Sequence, residues 1–457
     1  MNKVVVRFAP SPTGLLHIGG ARTALFNWLF AKKNKGECLL RIEDTDKERS
    51  KIEYEKQIQD TLRWLDIPPD KETIKQSLNI DKHTEIARTL LKKGYAYKCY
   101  CSQKELEEER ELARKKNIQY VYSKKWRNKE GGAGPFVIRF KSKEVGTTIL
   151  KDLVQGNIEI SNSTIEDFVI LRADGTPTYQ LSVAVDDFNM NISHVIRGDD
   201  HKINTFKQTQ IFDAMEWKKP LYAHIPLIHS KQGKKLSKRD GAVTVSDYQK
   251  IGIFPESLRN YLLKLGWSYK NKEIFSLNES INLFNLNGIG KSPSKLDVER
   301  VLSMNETYIK NMSEKKLFEH FKKYVDKFKE KIQLDFLDRI HSNISILKNK
   351  AKTLEDIYNN SKFIFKYQKI EFKKKISIKE KKLTISFLEK ISNLDDVDFD
   401  TCKLIINQII EENKIKFKEF GQPIRIILTG SKFAPSINDI CRCLGINEVK
   451  KRLQIYL

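Results

Sequence analysis

The stretch from Val4 to Gly20 constrains the fold of this chain more than any other. Val4-Val5-Val6-Arg7-Phe8 reads as a buried β-strand. Ala9-Pro10-Ser11-Pro12-Thr13-Gly14 breaks both strand and helix periodicity, and Leu15-Leu16-His17-Ile18-Gly19-Gly20 opens a helix. Ala21, Leu25, Trp28 and Leu29 then fall on one helical face, and the helix is expected to stop near Gly36. A strand turning tightly into a helix is the beginning of an α/β domain with a parallel sheet. The same turn is expected to leave the backbone N–H groups of Ile18 to Ala21 facing outward, where phosphates bind, with Gly19 and Gly20 permitting close approach. An isolated His-x-Gly-Gly is also compatible with a surface turn carrying an incidental histidine, so the rest of the chain has to decide.

The texture of the sequence changes along its length. As far as about Asp240, short β-branched runs alternate with amphipathic helical patterns and Gly-bearing turns, as in an α/β domain. From about Leu317, Gly is absent until Gly421, and stretches such as Leu317 to Ile332 and Leu383 to Ile391 carry helical spacing. That half reads as a helical module. A chain of 457 residues exceeds one ordinary core, so two to four domains are expected. Lys and Arg outnumber Asp and Glu by 83 to 59, a formal charge of +24, which favours a polyanionic partner, either nucleic acid or an anionic membrane surface. There is no apolar run of about 18 residues, and Asn2, Lys3 and Arg7 around a short apolar run are unlike a signal peptide, so a soluble cytoplasmic protein is expected. The six cysteines are too sparse for a disulfide framework and are expected to be free thiols.

Far downstream, Lys234-Lys235-Leu236-Ser237-Lys238-Arg239 lies between Gly233 and Gly241, which predicts a mobile loop whose lysines can neutralise a triphosphate. By itself such a loop is an ordinary solvated surface. Together with His17-Ile18-Gly19-Gly20, however, it resembles the two signatures of class I aminoacyl-tRNA synthetases. The first of these cradles ATP and the second closes on its phosphates. Arg7-Phe8-Ala9-Pro10-Ser11-Pro12-Thr13-Gly14 and Leu40-Arg41-Ile42-Glu43-Asp44-Thr45-Asp46 resemble the bacterial glutamyl-tRNA synthetases in particular. Further similarity stands at 174–181, at Val185-Asp186-Asp187, at 194–201, and at Gln422-Pro423-Ile424-Arg425 with Leu428-Thr429-Gly430.

The resemblance implies a Rossmann-type α/β catalytic domain, interrupted by an α+β domain and followed by all-α stem-contact and anticodon-binding domains. The halves of the catalytic domain would be 1–97 and 179–240. The acceptor-end insertion would span 98–178, the stem-contact domain 241–318 and the anticodon domain 319–457. It implies that His17, Gly19, Gly20, Asp200, Lys235, Ser237 and Lys238 serve ATP, accompanied by Mg²⁺, with His17, the two glycines and the two lysines carrying catalysis. Arg7, Ala9, Ser11, Glu43, Tyr179 and Arg197 would hold L-glutamate. Chemistry agrees, since a planar guanidinium suits a side-chain carboxylate and an anion suits the ammonium, although each of these residues also has a structural reading as an ion-pair or core partner. Many relatives carry Asn where Val183 stands, which removes one polar contact near the amino acid or moves it elsewhere.

Some relatives bind zinc through Cys-x-Cys and a later Cys-x-His. Here Cys99-Tyr100-Cys101 is followed by Trp126-Arg127-Asn128, and two thiolates cannot complete a four-ligand shell, so no zinc or other resident metal is expected. Cys441-Arg442-Cys443 reads as two small buried apolar residues in a helical core. A tRNA partner explains the positive charge better than a membrane does, through phosphate neutralisation along an L-shaped polyanion. Lys350, in Leu347-Lys348-Asn349-Lys350-Ala351-Lys352-Thr353-Leu354, stands where the family reads the anticodon, with a solvated helix face as the alternative. The implied activity is ATP-dependent attachment of glutamate to tRNA-Glu, tRNA-Gln or both, by a monomer. A catalytically silent tRNA-binding paralogue is the rival.

Overall fold

The computed structural model describes residues 3–118, 120–234, 244–366, 377–394, 399–431 and 434–457. It consists of two compact units, Met1–Asp247 with Leu258–Val298 and Tyr248–Ser257 with Glu299–Leu457.

The first unit is built on parallel strands. β1 (Val5–Phe8) pairs with β2 (Glu37–Ile42), from Val5 opposite Glu37 to Phe8 opposite Leu40, and the helix between them, α1 (Ile18–Lys33), is the crossover that a parallel pair requires. β3 (Ile74–Lys75) adds to the far side of β2, again in parallel. The strands of a second sheet are β6 (Thr147–Asp152), β7 (Gly156–Ser161), β9 (His194–Gly198) and β10 (Leu221–Ile225), in the order β7-β6-β10-β9. In it β10 runs parallel to both β9 and β6, while β6 and β7 form an antiparallel hairpin. The two sheets adjoin where the Ser193 N–H reaches the Val5 carbonyl at 2.9 Å. β4 (Ala96–Cys99), β5 (Val137–Phe140) and β8 (Val169–Leu171) make a separate antiparallel sheet. The region 98–178 therefore supplies most of an antiparallel sheet, whose first strand begins at Ala96, and a hairpin that extends the parallel one.

α1 buries Ile18, Ala21, Leu25, Phe26, Trp28 and Leu29, the face that the spacing predicts. Its Asn27 Nδ2 donates to the Ile196 carbonyl at 2.9 Å, tying the helix to β9. The helix ends at Lys33, and the chain returns to β2 through Gly36, where a Cβ would lie 2.2 Å from the Val4 carbonyl oxygen. Only glycine lets the backbone pass there. α5 (Tyr179–Asn189) and α6 (Lys202–Ala214) pack together over Leu181, Ala184, Val185, Ile211 and Phe212.

Among its described residues the second unit is helical, from Val298–Asn311 to Ile446–Gln454. The helix Glu314–Phe328 stops short of Ile332. That side chain is still buried, at 5% exposure, but in an extended connection, so its apolar spacing marks burial and not helix. Ile378–Ser392 contains the second stretch expected to be helical. Phe321, Ile340, Phe387, Phe420 and Ile440 share one core, and Cys402, Cys441 and Cys443 lie in it as small apolar residues. All six cysteines are unpaired thiols. Among the described residues no helix is long and apolar enough to cross a membrane.

Gly36→Ala is expected to lower the thermal unfolding midpoint, reflecting an overpacking cost of about 1–3 kcal/mol. Gly14→Ala, whose Cβ would meet nothing within 4 Å among the described residues, should leave the midpoint unchanged. Scanning calorimetry of the two variants checks both outcomes.

Candidate active site

A cavity of about 430 Å³ opens in the first unit where β1, β2 and β9 end and α1 and α5 begin. Pockets at the carboxyl ends of parallel strands are the usual ligand position in open α/β sheets. Arg7, Ala9, Ser11, His17, Gly19, Gly20, Glu43, Tyr179, Arg197 and Asp200 all line it. Residues that the sequence disperses over nearly two hundred positions are thus brought to one wall. Lys235, Ser237 and Lys238 lie outside the described residues. Lys350 belongs to the second unit, exposed on a turn with φ 61°, so the helix-face alternative does not describe it.

At the start of α1, His17 is the N-cap, and its Nδ1 accepts from the Gly19 N–H at 3.4 Å. Burial lowers the pKa of His17, so the imidazole is neutral and its other nitrogen is a donor. The Ala21 N–H does not face outward as expected: it closes the first helical turn on the His17 carbonyl at 2.9 Å. With the Gly19 N–H taken by His17 Nδ1, the first-turn donors left for a ligand come from Ile18 and Gly20. The two glycines have different causes. A Cβ on Gly20 would press on Leu16 Cδ1 at 2.9 Å, whereas a Cβ on Gly19 would meet only His17 Nδ1, at 3.8 Å.

Below the cavity lies a buried ion network. Arg7 donates from Nε and Nη2 to the two oxygens of Asp187, at 3.0 and 3.3 Å. Arg41, fully buried on β2, donates to the same Asp187 at 2.6 Å and to Glu43 Oε1 at 3.0 Å. Burial pushes the Asp187 pKa up, but Arg7 and Arg41 outweigh it and hold the carboxyl below its usual range. For Glu43, burial prevails over Arg41 and the pKa is raised. Adjacent Asp186 accepts from Gln76 at 2.9 Å and Asn79 at 3.1 Å, and lies 2.8 Å from His83 Nε2.

Arg197 differs from the other two arginines. Its Nη2 donates to Thr205 Oγ1 at 2.6 Å, Gln208 Oε1 at 2.9 Å and the His201 carbonyl at 3.4 Å, its Nε donates to His224 Nε2 at 3.4 Å, and its buried Nη1 has no hydrogen-bond partner among the described residues. All of these acceptors are neutral. Burial lowers its pKa, as for a cation short of a counterion. Tyr179 presents its hydroxyl 3.0 Å from His201 Nδ1, and burial pushes the phenol up to about 12, so it stays a neutral donor. Burial, helped by Arg197, pushes His201 down to about 4. The lining thus carries three guanidiniums, of Arg7, Arg22 and Arg197, against the carboxylates of Glu43 and Asp200. Such a cavity suits an anionic ligand.

Arg22, His201, Arg41 and Asp187 were given no role from sequence. Arg41 and Asp187 do stand inside motifs that were singled out, and a charged residue at every second position of an otherwise apolar strand, Leu40-Arg41-Ile42-Glu43, is the signal that could have found the first. Val183 is buried, at 1% exposure, and does not line the cavity. Cys99 and Cys101 sit 3.2 and 3.5 Å from the Tyr122 hydroxyl, and Arg127 pairs with Asp167 at 2.6 Å.

Comparison with known proteins agrees with this geometry. Residues 3–303 match the catalytic domain of class I tRNA synthetases for E and Q, and residues 312–457 match an anticodon binding domain. A glutamate–tRNA ligase of Pelagibacter ubique is 55% identical, over 99% of each chain, and one from Orientia tsutsugamushi is 41% identical, over 99% of this chain and 97% of its own. The crystal structure of a glutamate tRNA ligase from Elizabethkingia meningosepticum, in complex with its amino acid, superposes with a TM-score of 0.85 at 31% identity, covering 100% of this chain and 99% of that one. Glutamate-tRNA synthetase from Elizabethkingia anophelis superposes with a TM-score of 0.84, also at 31% identity and with the same coverage.

Asp187→Asn is expected to cost about 3–5 kcal/mol at neutral pH, because two buried guanidiniums lose their shared anion. The Asp187 carboxyl is held below the ordinary 3.8, so its contribution is present above that value and lost as pH falls through the lower folded one. Glu43, with a raised pKa, acts in the opposite sense. The variant should therefore show a shallower loss of stability on acidification below about pH 4, read by denaturant titration across pH.

Proposed function

This chain belongs to the class I tRNA synthetases for glutamate and glutamine, and from that membership we propose that it is a glutamate–tRNA ligase, using ATP to join L-glutamate to the 3′-terminal adenosine of tRNA. The observation that carries the amino-acid assignment is Arg197: a buried guanidinium with only neutral partners and an unpartnered Nη1, facing a cavity that also holds Arg7 and the Tyr179 hydroxyl. The side-chain carboxylate of glutamate supplies the missing anion. A glutamine amide would leave the cation unneutralised and turn its NH₂ toward donors, an uncompensated loss in a desolvated pocket. At the other end of the amino acid, Glu43 attracts the ammonium, with Ala9 and Ser11 beside it.

With glutamate so held, its α-carboxylate oxygen attacks the α-phosphorus of ATP, forming a P–O bond as the bond to pyrophosphate breaks. A hydroxyl of the terminal adenosine then attacks the acyl carbon of the adenylate and AMP leaves. No enzyme nucleophile is needed, so catalysis consists of positioning and of stabilising phosphate charge. The first-turn donors of α1 at Ile18 and Gly20 and the neutral donor nitrogen of His17 suit the phosphates, Gly19 lets them approach the backbone, and Asp200 lines the same cavity. Lys235, Ser237 and Lys238 would complete the phosphate site, with Mg²⁺ arriving on the nucleotide. The helical second unit, with Lys350 on an exposed turn, would read the anticodon, and residues 98–178 and 241–318 would meet the acceptor end and the stem. An enzyme feeding protein synthesis in this way would act in the cytoplasm.

The decisive experiment is ATP-dependent charging of purified tRNA-Glu and tRNA-Gln with labelled glutamate, by the wild type beside Lys238→Ala and Arg197→Ala. Charging is expected from the wild type, with a fall of about 100-fold or more in each variant, the scale seen when one stabilising donor is removed from an active site. Folded wild-type protein that charges neither tRNA would leave a silent tRNA-binding protein. Acidification supplies a second check. As pH falls through the raised pKa of Glu43, above its ordinary 4.5, the ammonium loses its anion and the KM for glutamate rises; in Glu43→Gln the KM should be high and flat over the same range.

A further inference from the structure

Behind Arg197 stands a pair of buried residues with no part in the reaction as described. His224, on β10, has 0% exposure, and its Nε2 accepts from Arg197 Nε at 3.4 Å. Its Nδ1 lies 2.7 Å from Asp152 Oδ2. Asp152 ends β6 and is itself pinned: its carboxylate accepts the backbone N–H groups of Val154 at 2.9 Å, Gln155 at 2.8 Å and His224 at 3.0 Å. Burial raises the Asp152 pKa, but His224 and these backbone donors outweigh it, and the carboxyl is held below its usual range.

The two ends of the imidazole therefore make compatible demands. An ionised carboxylate only accepts, so Nδ1 must carry the proton; a guanidinium only donates, so Nε2 must be bare. The other tautomer, or the imidazolium, would set N–H against N–H beside a buried cation. Burial lowers the His224 pKa, in keeping with a neutral ring. Thr205 Oγ1, 2.9 Å from Nε2, also accepts from Arg197, so every acceptor around this guanidinium is fixed and uncharged.

Resting on the glutamate-site reading, we infer that Asp152 and His224 are specificity-determining positioning residues: Asp152 locks the His224 tautomer, and His224 orients Arg197 without neutralising it. A carboxylate in direct contact with Arg197 would hold the guanidinium just as well but would remove its need for an anionic ligand. Placing the anion one imidazole away keeps the orientation and leaves the near charge for the substrate. The strength of glutamate-over-glutamine selection then depends on a neutral ring, and through Asp152 on the docking of the β6–β7 hairpin against β10.

The test begins with ¹⁵N spectroscopy of the histidine rings in the wild-type protein, where His224 is expected to show a protonated Nδ1 and a bare Nε2. Asp152→Asn keeps an oxygen for the backbone donors, but its NH₂ can face Nδ1 and release the Nε2–H tautomer toward Arg197. In this variant the KM for glutamate should rise roughly 10- to 100-fold, the range for losing an orienting partner behind a first contact. The preference for glutamate over glutamine in adenylate formation should fall, while the KM for ATP stays within about twofold, since the phosphate site lies at α1, apart from this relay. His224→Gln, which offers an amide oxygen and has no tautomer, should recover most of the glutamate affinity that His224→Leu loses. In the His224→Gln background, Asp152→Asn should then cost nothing further. A wild-type ring carrying its proton on Nε2, or a folded Asp152→Asn protein with unchanged glutamate KM, overturns the inference while charging activity stands. A wild type that charges neither tRNA with glutamate overturns the functional reading beneath it.

Discussion

Two arginines on neighbouring strands, Arg7 and Arg41, share the carboxylate of Asp187 from α5, and the geometry of the cavity depends on that sharing. Both guanidiniums are out of water, so each strand end must be held where the one anion can serve both. A buried ion pair is a poor source of net stability, because desolvation consumes most of the Coulomb gain. What it supplies here is position. β1, β2 and α5 cannot slide relative to one another without exposing an uncompensated buried charge, so the register at the carboxyl ends of the strands is fixed by electrostatics as well as by the apolar faces behind them. Glu43, bonded to Arg41, is set by the same constraint.

The network also accounts for a division among the arginines. Arg7 and Arg41 have carboxylate partners within the protein, whereas the acceptors of Arg197 among the described residues are a hydroxyl, an amide, an imidazole and the His201 carbonyl, all neutral. Cations fully neutralised within the protein would make the cavity indifferent to the charge of its ligand, and buried cations without any anion would be costly. Arg197, deficient in anion beside the satisfied Arg7 and Arg41, leaves an appetite for negative charge, and Arg22, bonded to the Leu265 and Pro226 carbonyls, adds to it. The neutral Tyr179 hydroxyl and the neutral His201 beside it add donors and acceptors without changing that balance.

Much of the cavity lining was legible in the sequence, because Arg7, His17, Glu43, Tyr179 and Arg197 stand in motifs that the chain brings together there. The supporting layer was not. Arg41 and Asp187 meet across 146 positions, and no local pattern says which acid a buried arginine will find. Asp152 and His224 are single polar residues in ordinary strands, 72 positions apart, whose pairing follows from the parallel docking of β6 on β10. Parallel pairing leaves little trace in sequence spacing. Local periodicity misled at Ile332, where apolar recurrence continued beyond the helix because burial did. It misled again at Ala21, where a helix-start pattern does not say how many first-turn N–H groups remain unspent.

The glycines separate what folding requires from what binding requires. Gly36 and Gly20 are crowded by the protein itself: the Val4 carbonyl excludes a side chain at Gly36, and at Gly20 the Leu16 methyl would have to give way. At Gly198 a Cβ would lie 2.6 Å from Asp200 Oδ1, which ties that glycine to the placement of one cavity carboxylate. Gly19 is different: it faces open space apart from the His17 ring at 3.8 Å, and as the second residue of a helix it gives up stability relative to alanine. Among the described residues no neighbour excludes a methyl group there, and a ligand approaching the backbone is a reason for glycine that packing does not supply. That is the requirement of a phosphate at a helix N-terminus, and it agrees with the nucleotide position proposed for Gly19.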